Sequence, residues 1–426
     1  MALPCGHRCD SGSARLALSP LQRLEGPMGR GALVVLVLTA LVAGVPEAAA
    51  SPLPSALPCP LEAGWHQLAV ARLPRRDRAG EAVGGLSAMG PGPAGGTGLE
   101  LLSDAPRGLL VRIQGLGTAA GPQLLDRLPL RSGPSAALPP AMDGEGLVRR
   151  GADLWVASEG RRTADRPAQL LRFDGAGRLR QALDLPPDWQ PAPGRGLAAN
   201  GGPESLALLR RPGRADLLLM AAEFPLLQDP QRQVRLLAWS LATVPPRPQA
   251  LAPLRLPRGD WGLTDLLPVA DGRGGTLLLA LLRRFEPPDR WGARLLLYPL
   301  PLPLPPGELA RARPVAALHS WDLPPDNWEA LALGPPLADG TPTLVLASDN
   351  NFSPFQDNHL VLLAPGRQAR CRSSNAEQAV DQPPAGPSSS SASRSWASSS
   401  RATPMRARAV PRFCSSVSST TRAACR

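Results

Sequence analysis

Four carboxylates recur along the middle of this chain at nearly constant intervals. Glu145, Glu204, Asp265 and Glu329, preceded by Ser87 in an equivalent place, are separated by 58, 59, 61 and 64 residues. Each opens a short apolar run. A second acidic series, Asp104, Glu159, Glu223 and Asp349, closes the next apolar run of the same copy. The fourth copy breaks that series with Arg283, Arg284 and Phe285. Carboxylates gathered in one narrow place cannot all stay charged and unpaired. Arginines such as Arg161, Arg162, Arg283 and Arg284 can pair with them. A hard cation with oxygen ligands is the other remedy, and Ca²⁺ matches such donors best. A plainer role stands beside both: acids that cap loop amides and hold neighbouring units together.

The elements that must carry these residues repeat with them. The copies begin GGLSAMGPGP, GEGLVRRGA, PESLALLRRPGRA, GLTDLLPVADGRG and NWEALALGPPLADG. Each continues through a second run, such as DLWVASEG or TPTLVLASDNN, and a third, such as HLVLLAP. Asp-Gly and Pro-Gly pairs between the runs are hairpin chemistry. Apolar runs of four to six residues suit strands covered on both faces. Four-stranded units repeated radially make a β-propeller, because stacking buries the faces of each blade. The reading is therefore all-β, a propeller with five blades counted. The connections at 225–260 and 286–326 leave room for a sixth. WHQLAVARLP at 65–74 is placed to complete the last blade and close the ring. Two stacked β-domains are the alternative. Successive strands of a blade run antiparallel, so both acidic series fall on one rim of the channel.

Composition narrows the function. Proline (52) and glycine (42) are abundant, which argues against helical bundles, since an interior proline costs a helix roughly 3 kcal/mol. The formal charge is +11, and lysine is absent, so every basic side chain counted is arginine. That excess is not in the repeat: net charge is +2 over 51–366 and +8 over 367–426. Without a concentrated basic face carrying stacking aromatics, nucleic acid is excluded as a partner. No G-x-S-x-G elbow, P-loop or dinucleotide fingerprint occurs.

The two ends read differently from the middle. Met28 and Arg30, the apolar stretch Ala32–Val45 and Ala48-Ala49-Ala50 have the layout of a secretory signal over 28–50. Residues 1–27 then read as an over-extended start. The apolar stretch is too short to span a bilayer, so the mature chain is expected to have no transmembrane span. The chain is expected to be exported, either periplasmic or secreted. The Ser/Arg-rich segment 367–426 has no apolar periodicity and is expected to be disordered. Only Cys59 of the six cysteines lies near the repeat, which allows no internal disulfide framework there.

One string is more specific than the rest. Asn327-Trp328-Glu329-Ala330-Leu331-Ala332-Leu333 is followed by Ser348-Asp349-Asn350-Asn351-Phe352-Ser353. With GGLSAM, EGLVRRGADLWVASEG and PESLALL, it resembles the phytase-like family of exported bacterial proteins, described as having esterase-like activity of phytase. Trp328 and Ala330 stand where that family usually has Phe or Tyr and Gly. The resemblance covers about 64–365 and implies hydrolysis of a small-molecule ester, a phosphate monoester or a carboxylic ester. It points to Glu145, Glu204, Glu329 and Asp349 as catalytic. It points to Arg161, Arg162, Arg284, Asn350 and Asn351 as substrate-binding. Glu145, Glu204, Asp265, Glu329 and Asp349 would hold the cation. A non-catalytic propeller that binds a ligand or an envelope partner is the other reading.

Overall fold

A computed structural model describes residues 65–365, apart from 94–97, 164, 271–274, 288–289, 301, 303–309, 312, 318–322 and 324. The expected leader at 28–50, the start at 1–27, the tail at 367–426 and all six cysteines lie outside the described residues. Every helix or strand element among the described residues is a strand, and no helix there is long and apolar enough to cross a membrane.

The chain enters on β1 (Trp65–Leu73) and then builds blades in order. The first is β2 (Leu86–Pro91), β3 (Leu99–Ser103), β4 (Leu109–Gln114) and β5 (Gln123–Pro129). The second is β6 (Gly144–Arg150), β7 (Asp153–Ser158), β8 (Gln169–Phe173) and β9 (Leu179–Asp184). The third is β10 (Pro203–Leu209), β11 (Leu217–Ala222) and, past a short β12 (Gln233–Val234), β13 (Leu236–Ser240) and β14 (Arg247–Ala250). A short β15 (Leu254–Arg255) leads to the fourth blade. That blade is β16 (Gly262–Ala270), β17 (Thr276–Glu286), β18 (Arg290–Pro299) and, past a short β19 (Ala310–Arg311), β20 (Arg313–Ala317). The fifth is β21 (Trp328–Leu333), β22 (Leu344–Ser348) and β23 (Asn358–Pro365), completed by β1.

The innermost strands β2, β6, β10, β16 and β21 pack against one another in a closed cycle. Ring closure is as the sequence suggests: β1 runs antiparallel to β23, from Trp65 opposite Pro365 to Leu73 opposite Asn358. The room left for a sixth unit is used. β12, β15 and β19 form a three-stranded sheet drawn from both long connections, and its strands stand outside the inner cycle.

Blade stacking explains the apolar runs. The second strands are buried along their whole length or nearly so: β3 and β11 throughout, β7 from its second residue. Leu101, Leu154, Leu218 and Leu346 are wholly buried between blades. Each such side chain contributes about 1.5–3 kcal/mol through burial. Outer strands alternate instead, as in β1 and β9, where every second residue meets water.

One irregularity positions the site. Each innermost strand slips register once against its partner. The slips fall between Leu86 and Ala88, Gly144 and Gly146, Pro203 and Ser205, Leu263 and Asp265, and Trp328 and Ala330. A bulge of this kind inserts one extra residue and re-aims its side chain.

Candidate functional site

The bulge residues are Ser87, Glu145, Glu204, Thr264 and Glu329. Three are the expected carboxylates, and all five are buried. In the fourth blade the structure corrects the sequence reading. The bulge residue is Thr264, and Asp265 is one position further on. Asp265 accepts hydrogen bonds from Leu266 N at 2.8 Å and Leu331 N at 2.7 Å. It therefore staples the fourth blade to the fifth and does not join the rim cluster. Burial raises its pKa well above the ordinary carboxylate value, and no rim acid contributes to that shift.

The second series is equivalent in backbone as well as in sequence. The amides of Asp104, Glu159, Glu223 and Asp349 donate to Gly85, Asp143, Gly202 and Asn327 carbonyls, at 2.7–2.9 Å. Arg283 holds the same place in the fourth blade, opposite Gly262. Some of these acids also cap the next blade, as the plainer reading proposed. Glu159 accepts from Gly202 N at 3.2 Å and Asp349 from Leu86 N at 2.9 Å. Gly202 and Gly262 must be glycine for this. A Cβ there would run into Glu159 and Glu223 respectively.

Arg283 is the hub of one side of the rim. Its guanidinium donates to Glu329 and Asn327, and to Glu223 Oε1 at 2.9 Å. Asn327 Nδ2 donates to Glu329 Oε1 at 2.8 Å. Burial alone would lower the arginine's pKa, but the charges of Glu329, Glu223 and Glu204 outweigh it and raise it. Glu223 is 2% exposed, and its Oε2 finds no fixed donor. The Glu204 carboxyl lies against Glu223 and can hydrogen-bond it only by carrying a proton.

The other side is differently balanced. Oxygens of Asp104, Asp143 and Glu145 lie within 4.8 Å of one another. Asp143 Oδ2 accepts from Arg161 at 2.9 Å and Arg166 at 3.4 Å. Asp104 Oδ1 is buried without a partner. Burial, then the charges of Glu329 and Asp143, push the Asp104 carboxyl up to about 6. Burial, then Glu329 and Glu159, hold Glu145 well above its ordinary value. Burial, then Glu145 and Glu223, do the same to Glu204; for Asp349 the causes are burial, Glu329 and Asp104. Glu159 rises to about 7, chiefly through burial.

These donors fit a hard cation: three carboxylates, all oxygen, one oxygen orphaned. The set differs from the expected one. Of Glu145, Glu204, Asp265, Glu329 and Asp349, only Glu145 belongs to the close group. Asp104 and Asp143 complete it, and Asp143 was not among the sequence candidates.

The expected substrate contacts divide. Arg161 reaches the cluster through Asp143. Arg162, with φ of 59°, turns away and donates to the carbonyls of Ala192, Arg195 and Leu197, so it secures a loop instead of offering a clamp. Asn350 is buried and latches the fifth blade to the first through Gly85 N at 3.3 Å and Val83 O at 3.5 Å. It too is structural. Asn351 and Arg284 do face a cavity, though Arg284 is paired with Glu286 at 2.8 Å. Together with Asn200, Glu223, Phe224, Asp260, Arg283, Phe285, Trp291 and Asn327 they line a cavity of about 380 Å³.

Fold and rim define an all-β propeller with an acid-rich central mouth. A family model described as "Phytase-like: Esterase-like activity of phytase" matches residues 81–352, and the chain belongs to that family. No curated protein matches it. Among solved structures, Cellvibrio cellulosa α-L-arabinanase complexed with arabinohexaose is 12% identical, covering 63% of this chain and 88% of that one, with TM-score 0.35. A glucose dehydrogenase is 12% identical, covering 70% and 99%, with TM-score 0.36. Neither bears on the chemistry of the site.

Proposed function

We propose that this chain is an exported hydrolase of ester bonds, acting on a phosphate monoester or a carboxylic ester at the carboxylate rim with a cation's help. The observation that carries the reading is the meeting of Asp104, Asp143 and Glu145 on the same rim as a cavity lined in part by Glu223 and Arg283. Ca²⁺ is the ion these donors suit best. Bound there, it would polarise the ester oxygen and acidify a water. The chain's own residues divide the remaining work. Glu159, raised to about 7, titrates where general acid–base groups are effective. Glu145 would serve the cation with Asp104 and Asp143, and Glu204 is the neighbouring acid whose pKa burial and the charges of Glu145 and Glu223 raise. Glu329 is fixed by Arg283 and Asn327, and Asp349 caps Leu86 N of the first blade. Arg283 is saturated by its own partners, so Arg161 is the nearer candidate for a substrate anion.

The test is turnover by the purified full chain on phosphate monoesters, carboxylic esters and lactones, with Ca²⁺ and with chelator. Turnover of one class, stopped by chelator and by Glu145→Gln, is expected. No turnover of any class, with an unchanged melting temperature under chelator, would sink the hydrolase and favour a ligand-binding propeller.

A further inference from the structure

The cavity described above has a composition that selects its occupant. One part of its wall is aromatic, from Phe224, Phe285 and Trp291. Phe285 and Trp291 are in ring contact, with centroids 4.7 Å apart and planes tilted by 41°. The rest is polar and nearly balanced in charge. Asn200 and Asn351 each carry both a donor and an acceptor, whereas Asn327 is buried and spent on Arg283 and Glu329. Both arginines are already engaged. Arg283 is held by Glu223 and Glu329, and Arg284 pairs with Glu286 at 2.8 Å while lying 4.9 Å from the Trp261 ring. Asp260 has no ion pair among the described residues. A multiply charged anion would therefore find no free cation here and would meet Asp260 and Glu223.

Glu223 lines the cavity but is almost fully buried, and the Glu204 carboxyl against it already offers an O–H when protonated. The ligand that answers all of these features has an apolar face for the aromatic wall and hydroxyls that both donate and accept for its rim.

We propose that this cavity binds a neutral sugar ring, the alcohol part of the ester that the rim hydrolyses. Trp291 and Phe285 cover the C–H face of the ring. Asp260, Asn200 and Asn351 take its hydroxyls. In the reaction, water adds its oxygen to the acyl carbon, the bond from that carbon to the sugar oxygen breaks, and the sugar oxygen takes a proton. The products are a free sugar and a carboxylic acid. This step rests on the hydrolytic reading above; the binding of the sugar does not.

Binding is measured on the full chain by calorimetry with methyl glucoside, xylose and arabinose, and with myo-inositol hexakisphosphate as the anionic competitor. Millimolar or tighter binding of at least one neutral sugar is expected. Trp291→Ala and Asp260→Asn should each weaken it about tenfold or more. Asp260 is exposed, so its variant keeps the fold if Trp291→Ala does not. Leu125→Ser, on outer strand β5, should leave binding unchanged. Failure of all three sugars, or equal binding by both cavity variants, would overturn the inference, as would binding of the hexakisphosphate alone. Sugar binding without ester turnover would instead remove the hydrolytic reading and leave this one standing. Turnover of p-nitrophenyl acetate with no preference for an acetylated sugar, and no sugar binding, would do the reverse.

Discussion

The two sides of the rim solve the same problem in opposite ways. Both crowd carboxylates into a narrow mouth. On the side of the third, fourth and fifth blades, Arg283 stands where the other blades carry an acid and takes Glu223 and Glu329 as partners. On the side of the first and second blades, Asp104, Asp143, Glu145 and Glu159 have no such central cation. Their arginines, Arg161 and Arg166, approach Asp143 from the edge, and Arg161 is 44% exposed. One side is internally compensated. The other is left to protons or to a cation from solution, and that is where chemistry is expected.

The largest test of this contrast is Arg283→Met. It leaves two buried carboxylates without their partner, and removing one member of a buried pair typically costs about 3–5 kcal/mol. Denaturant unfolding should show a loss of that size, partly recovered by adding Glu223→Gln. A loss below about 1 kcal/mol would mean that the arginine side is no better compensated than the other.

Next in size is the response to Ca²⁺. At about 100 times its dissociation constant, an ion bound only by the folded state stabilises it by about 2.7 kcal/mol. The melting temperature should rise with Ca²⁺ in the wild type and stay flat in Glu145→Gln and Asp143→Asn. A rise that survives both substitutions would place the ion elsewhere and undo the division of the rim.

Acidity gives a third, smaller handle. Glu159 has an ordinary value of 4.5 and is raised in the fold to about 7. The folded state therefore binds its proton more tightly than the unfolded state does. The associated stability is present below about pH 4.5 and is lost as pH rises through about 7. The change is on the order of 2 kcal/mol, below the full shift because the neighbouring acids titrate with it. Glu159→Gln should flatten the slope of stability against pH between those values. An unchanged slope would show that the open side titrates through other acids.

Much of this could be read from the chain. The five anchors recur because each innermost strand carries its bulge in the same place, so the spacing reports the blade. Arg283 is visible as the break in an acidic series. The connections that left room for a sixth unit do supply the three-stranded sheet. Other features need the fold. Asp143 lies two residues before Glu145, but the equivalent positions are Gly85, Gly202 and Asn327, and in the fourth blade Gly262, so the repeat gives no reason to look for an acid there. Arg162 and Asn350 have the right chemistry at the right distance along the chain. Their backbone turns them onto loop carbonyls and onto the first blade. The cavity draws Asn200 and Asp260 from the connections before the third and fourth blades and Trp291 from β18, and no spacing rule joins them.

The smallest expected effect concerns Asp265 and separates two registers that the sequence cannot tell apart. A bulge absorbs one residue, so Thr264 and Asp265 both fit the apolar pattern of β16, and the acid is the natural choice by type. The ladder decides for Thr264, whose hydroxyl donates to Leu281 O at 3.3 Å, while Asp265 is spent on two amides. Asp265→Asn keeps an acceptor for one of those amides and weakens the junction between the fourth and fifth blades. It should leave the Ca²⁺-induced rise in melting temperature at its wild-type size, whatever the starting stability. Loss of that rise would return Asp265 to the rim and move the cation toward the arginine side. An unchanged rise, set against its disappearance in Glu145→Gln, would fix the open side as the place where the ion enters.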